Sequence, residues 1–153
     1  MFAVVAGRDR KGRAFFPELR APGGTGNTGF VLPDTLGWCF GGGQSLQIAL
    51  NSQDHPLAAT IIYYGRLVTD NATLASIKWP VLGIFGDQDM SIQVDTVKAF
   101  ESTLKSNGTP NEIYIYKGVG HAFANPSGDN YAPKETQDAW HKTLSFLKKY
   151  TSG

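Results

Sequence analysis

Cys39 is the only cysteine among 153 residues, and it stands in the stretch Leu36-Gly37-Trp38-Cys39-Phe40-Gly41-Gly42-Gly43. A side chain raised on a sharp strand-to-helix turn needs a strained backbone, with positive φ at the raised residue. The residues two before and two after it must be very small to avoid collision. Gly37 and Gly41 occupy those places, and Gly42 lets the following helix pack closely. This is the pattern of a nucleophile elbow that carries a thiol. Outside such a turn, a free cysteine is a small buried hydrophobe and a glycine run is a loop. A phosphate-binding loop is excluded, because no Gly-Lys-Ser/Thr follows. Downstream stand Asp89, in Gly86-Asp87-Gln88-Asp89, and His121, in Gly118-Val119-Gly120-His121-Ala122-Phe123. Nucleophile, acid and histidine are the parts of acyl transfer. A thiolate attacks a carbonyl, an imidazole generates that thiolate and later protonates the leaving group, and a carboxylate fixes the imidazole tautomer. On the residues alone, Asp87 competes with Asp89 for the last role.

These side chains are far apart in sequence, so the elements between them must bring them together. Ala58–Tyr64 is a continuous β-branched and aromatic run that ends at Gly65, and Pro80–Gly86 is a second apolar run. Both fit buried parallel strands. Glu112–Tyr116 alternates Ile and Tyr as a last strand. Between the runs, Gln44–Asn51 and Ile92–Ser106 carry helical apolar spacing, and a short helical turn is expected near Leu74–Ile77. Pro133 opens a final helix in which Trp140, Leu144 and Leu147 share a face. The order from residue 38 onward is elbow, α, β, α, β, α, β, α, which predicts an α/β fold with a mostly parallel sheet flanked by helices. Such sheets place their sites at the carboxyl ends of the strands, where Cys39, Asp89 and His121 all fall.

The motifs resemble the dienelactone hydrolase family of the α/β-hydrolases. The elbow reads G-x-C-x-G-G, and the triad order is nucleophile, acid, histidine. Tyr63-Tyr64-Gly65, Pro80–Asp89 and Gly120–Phe123 look like family landmarks at family-like separations, so the resemblance covers roughly residues 37–150. It selects Asp89 as the acid and implies hydrolysis of a small carboxylic ester or enol-lactone without metal or organic cofactor. It also implies a first oxyanion donor in the Phe40 N–H. Gly29–Gly37 resembles the strand and loop that in the family precede the elbow at a distance and supply the other half of the oxyanion hole. Here that segment runs straight into Trp38-Cys39, and Asp34 falls where a family acidic residue contacts the thiol. The family holds its substrate carboxylate with arginines. The position four beyond His121 is Asn125, and Arg66 is the only arginine after the elbow. Trp38, Phe40, Tyr64 and Phe123 are then the candidates for an apolar acyl pocket, with Arg66 and Asp34 beside them, and a core role accounts for each of the four aromatic residues equally well.

Basic and acidic residues number 14 and 13, which gives no reason to expect a nucleic-acid partner. Phe2–Ala6 is too short an apolar run for a secretory core or a membrane span. A single working thiol needs reducing surroundings, so the cytoplasm is the expected location. His55 and His141 have no cysteine or acidic cluster in sequence near them and are not read as ligands. One domain over residues 1–153 is expected, with 1–37 irregular and shortened and 38–150 running from elbow to C-terminal helix. The shortened N-terminal part has two consequences. It leaves Phe30–Leu36 as a sheet edge that favours a homodimer or larger homo-oligomer, unless residues 1–20 fold back over it. It also raises an alternative to the hydrolase, a catalytically weak remnant that serves as an assembly or binding subunit.

Overall fold

The computed structural model describes residues 3–6 and 33–151. The described elements run β1 (Ala3–Ala6), β2 (Asp34–Trp38), α1 (Phe40–Leu50), β3 (Ala59–Tyr63), α2 (Asn71–Leu74), β4 (Val81–Gly86), α3 (Val94–Ser106), β5 (Asn111–Tyr116) and α4 (Pro133–Thr151). The five strands form one sheet in the order β1-β2-β3-β4-β5. β2 to β5 are parallel, and β1 lies antiparallel against β2 with Ala3 opposite Gly37.

Period-two alternation explains the layering. Ile62, Val81 and Phe85 face one side, where Leu46 and Ala49 of α1, Leu74 of α2 and Val97, Phe100 and Leu104 of α3 pack against them. Ile61, Tyr63, Leu82 and Ile84 face the other side, against Ala139, Phe146 and Leu147 of α4. Strands that are neighbours in both sequence and space put their crossover helices on one face, so α1, α2 and α3 share a layer. Only α4, which follows the last strand, returns to cover the opposite face. β3 and β4 are buried along their whole length, which is why their sequences read as unbroken apolar runs.

Two local expectations change. Helix α1 begins at Phe40 rather than Gln44, so Gly41, Gly42 and Gly43 are buried helical residues. Glycine is a poor helix former, but at Gly42 the turn lies against the backbone of Tyr63 and Gly65, where no Cβ fits. The second change concerns the sheet edge. Asp34–Trp38 is flanked by β1 on one side and β3 on the other, so the expected open edge there is covered by the four residues of β1. The expected strand or hairpin arm at Gly12–Leu19, the loop at Ala21–Gly29 and the run Phe30–Leu32 lie outside the described residues.

Candidate active site

The turn at Cys39 shows the strain that the glycine pattern anticipates. Cys39 has φ 56° and ψ −119°, between a strand that ends at Trp38 and a helix that starts at Phe40. Its N–H donates to the Tyr63 carbonyl at 2.9 Å, which carries the β2–β3 pairing up to the turn itself. A Cβ at Gly37 would sit 2.0 Å from the Gly41 oxygen, and one at Gly42 would sit 2.6 Å from the Tyr63 oxygen. Gly65 completes the contact, since a Cβ there would lie 2.3 Å from the Gly42 carbonyl carbon. This last glycine is a part of the elbow that spacing around the cysteine does not reveal; only its position at the end of β3 signals it.

The three chemistry-bearing side chains meet at the carboxyl ends of β2, β4 and β5. Cys39 Sγ lies 2.9 Å from His121 Nε2, and His121 Nδ1 lies 2.8 Å from Asp89 Oδ2. The second carboxylate oxygen, Asp89 Oδ1, accepts the N–H groups of Ser91 at 2.8 Å and Ile92 at 3.0 Å. The Asp89 side chain is fully buried, whereas the imidazole keeps 30 % of its surface. A buried carboxylate with both oxygens engaged presents one fixed acceptor to the ring. Asp87 does not reach the histidine ring. Its Oδ1 accepts the N–H of Gly118 at 2.6 Å and the side-chain amide of Gln88 at 3.2 Å.

Around the imidazole, the Tyr64 ring makes an edge contact with centroids 5.3 Å apart, and the Asn130 side-chain amide donates to the His121 carbonyl at 3.0 Å. Tyr64 itself is buried with φ 35°, its N–H tied to the Ile84 carbonyl at 2.7 Å. Burial, reinforced by the nearby Tyr63 and Cys39, pushes its phenol far above the usual range, so the ring is neutral at any physiological pH. Beside it opens a cleft of about 290 Å³, lined by Trp38, Tyr64, Ala122, Ala124, Asn125 and Pro126. Only the Trp38 and Tyr64 walls follow from the expected aromatic set.

The remaining expected pocket residues are elsewhere, each for a structural reason. Phe123 is fully buried beneath the cleft, packed between Tyr64 and Tyr116, and serves the core. Phe40 is 71 % exposed and, with the exposed Arg66, lines a separate groove of about 680 Å³ between α1 and residues 66–70. Asp34 begins β2, paired with Ala59, while Cys39 follows the end of the same strand. At about 3.3 Å per residue the strand separates the two by roughly 16 Å, so Asp34 belongs to the amino edge of the sheet. Asn125, the position four beyond His121 that the family resemblance singles out, lines the cleft; Ala124 and Pro126 beside it lie outside the expected set.

Among the described residues, no group of three or more His, Cys, Asp and Glu could hold a metal ion. His55 and His141 are exposed. Among the described residues, no helix is long and apolar enough to cross a membrane.

The dienelactone hydrolase family model matches residues 32–151, which is most of the chain and all of the site. The chain belongs to the dienelactone hydrolase family. It is 33% identical over 115 residues to a protein of Saccharolobus solfataricus assigned by name as a carboxymethylenebutenolidase, covering 75% of this chain and 43% of the relative. A protein of Methylorubrum extorquens with the same assigned name is 28% identical over 136 residues, covering 83% and 46%. A crystal structure assigned as a dienelactone hydrolase from Klebsiella pneumoniae superposes with a TM-score of 0.69 at 27% identity, over 76% of this chain and 52% of that one. The chain thus spans about half the length of the dienelactone hydrolase relatives it matches. The α/β-hydrolase fold of the family is the fold seen here: parallel β2 to β5 with helices on both faces.

Proposed function

We propose that the chain is a cysteine-dependent hydrolase of small carboxylic esters or enol-lactones that works through an acyl-enzyme. The observation that carries this reading is the unbroken chain Cys39 Sγ, His121 Nε2, His121 Nδ1, Asp89 Oδ2, with links of 2.9 and 2.8 Å. In the first half-reaction His121 Nε2 takes the Sγ proton as Sγ bonds to the acyl carbon, and the carbonyl electron pair moves onto oxygen. The first-turn N–H of Phe40 has no acceptor within its own helix and is the donor proposed for that oxyanion. Collapse breaks the carbon–oxygen bond, and His121 returns the proton to the leaving alkoxide, which stays tethered to the acyl group when the substrate is a lactone. In the second half, His121 removes a proton from water as the hydroxide adds to the thioester. The carbon–sulfur bond then breaks, the imidazolium returns its proton to Sγ, and a carboxylic acid leaves. Asp89 keeps the Nδ1 proton in place throughout, so Nε2 is free to accept at the start of each half-reaction and the imidazolium is stabilised between them.

The cleft supports small, uncharged acyl groups. Its volume is at the lower end of small-molecule sites, and its described walls offer aromatic, alanine and proline surface with the Asn125 amide beside them. Arg66 faces a different groove, so among the described residues that line the cleft there is no arginine to meet a substrate carboxylate. The proposal includes a reducing location, the cytoplasm, because the thiol must stay free, and a homodimer or larger homo-oligomer as the assembled form.

Hydrolysis of p-nitrophenyl acetate by the wild type beside Cys39→Ala is the test. Turnover that disappears in Cys39→Ala, and in wild type alkylated at Cys39 by iodoacetamide, is the expected outcome. Turnover retained in Cys39→Ala overturns the assignment of the nucleophile, and no turnover by a folded wild type overturns the activity.

A further inference from the structure

The loop that carries Asp89 and the loop that carries His121 remain joined beyond the end of their strands. The β4–β5 ladder ends at Gly86 opposite Tyr116. Past that point the Asp87 N–H donates to the Tyr116 carbonyl at 2.9 Å, and the Gln88 N–H donates to the Val119 carbonyl at 2.9 Å. Between these two bonds the second loop turns at Gly118, whose φ is +77°. A turn of that kind directs its amide away from the ladder, and here the Gly118 N–H is taken by Asp87 Oδ1 at 2.6 Å. The two loops touch backbone to backbone, since a Cβ at Gly86 would lie 2.2 Å from the Val119 oxygen. Gly118 is three residues before His121, so this one side-chain bond anchors the turn from which the imidazole is reached.

We propose that Asp87 is a positioning residue, which acts through the Gly118 N–H to hold the histidine loop at the distance where His121 meets both Asp89 and Cys39. It rests on the triad reading above and adds a residue that never touches substrate. Asp87 acts as a hydrogen-bond acceptor and not through its charge. Its backbone N–H bond persists whatever the side chain, so removing the carboxylate releases the Gly118 N–H while leaving the ladder and the Gln88–Val119 bond in place. A side-chain amide keeps an oxygen in the same place and satisfies Gly118 as the carboxylate does.

Asp87→Ala and Asp87→Asn separate these terms, with Asp87→Leu in reserve should the truncation unfold the chain. Two readouts are compared in folded protein. The first is kcat/KM for p-nitrophenyl acetate. The second, which needs no turnover, is the downfield NMR resonance of the His121 Nδ1–H proton in the Asp89 hydrogen bond. A misplacement of about 1 Å at a reacting group costs on the order of 100-fold, so Asp87→Ala is expected to lose roughly 10- to 100-fold in kcat/KM and to broaden or lose the resonance. Asp87→Asn is expected to keep the resonance and to stay within about threefold of wild type. An Asp87→Ala protein with wild-type resonance and turnover overturns the proposal, and so does an Asn variant as impaired as the Ala variant. A folded wild type that shows the resonance but no turnover sinks the hydrolase reading alone, and the resonance in the two variants still decides the positioning role.

Discussion

Two aspartates two residues apart do different work because their side chains leave the loop on different sides. Asp89 is buried, with Oδ2 on the imidazole and Oδ1 on two backbone amides. Asp87 is half-buried and faces the turn at Gly118. Replacing Asp89 by Asn puts an amide against Nδ1. Its NH₂ donates to the ring if it faces that way, which places the ring proton on Nε2, where it cannot accept from the thiol. Asp89→Asn is therefore expected to lower turnover by about 10⁴-fold, the scale seen when a triad tautomer is wrong, with the fold retained. Steady-state hydrolysis measured on protein with an unchanged circular dichroism spectrum checks it. Equal losses in Asp89→Asn and Asp87→Asn would mean that the acid has been misassigned.

At the scale of elements, the sheet and α4 are tied through a buried polar pair that the catalytic reading does not use. The Tyr63 hydroxyl on β3 and the Thr143 hydroxyl on α4 lie 2.7 Å apart, and Thr143 also donates to the Ala139 carbonyl at 3.0 Å. Burial pushes the Tyr63 phenol up to about 12, against a smaller downward pull from the Thr143 hydrogen bond. An acid whose folded value is raised stays neutral in the fold while the unfolded chain ionises near 10. Its contribution is complete below about pH 10 and is lost as pH rises through about 12. Urea midpoints measured from pH 8.5 upward are expected to hold steady and then fall across that window. Tyr63→Phe is expected to flatten part of the fall, although Tyr64 and Tyr116 are raised in the same direction and contribute the remainder. A Tyr63→Phe profile parallel to wild type would remove this residue from the account.

For the whole molecule, the sheet has two ends. On one side β1, only four residues long, covers β2; on the other, Asn111–Tyr116 of β5 pairs only with β4 among the described residues. A β-prone run such as Ile113-Tyr114-Ile115-Tyr116 with one unpaired side is a template for association. Lys142 over the Tyr114 and Tyr116 rings and Lys149 bound to Glu112 at 2.9 Å bring charge close to that strand, but both act from α4, on the face rather than the edge. Sedimentation velocity at micromolar concentration is therefore expected to show a homodimer or larger species. A stable monomer across that range would mean that the two ends of the sheet are closed without a second copy.

Much of the fold was legible in the sequence because its signals are local. Unbroken apolar runs at Ala58–Tyr64 and Pro80–Gly86 mark strands buried on both faces, and each is matched to within a residue or two by β3 and β4. Glycines at 37 and 42 mark a turn whose backbone leaves no room for a Cβ, and Cys39 between them has the positive φ of that turn. Spacing alone left Asp87 and Asp89 open, and only the family resemblance favoured Asp89. The same locality hides whatever depends on a neighbour distant in the chain. An aromatic residue in a pocket and one in a core have the same sequence signal, so the sequence leaves both roles open for Phe123, and its packing between Tyr64 and Tyr116 decides for the core. Asp34 lies five residues from Cys39 in sequence, yet an extended strand carries it to the opposite edge of the sheet. The contact of His121 with Cys39 spans 82 positions, and the loop that carries His121 is bonded to the Asp89 loop past the end of the β4–β5 ladder. Residue type and period determined which segments are strand, helix and elbow; which side chains meet was decided by the packing of those segments, because a contact between distant residues has no counterpart in the order of either one.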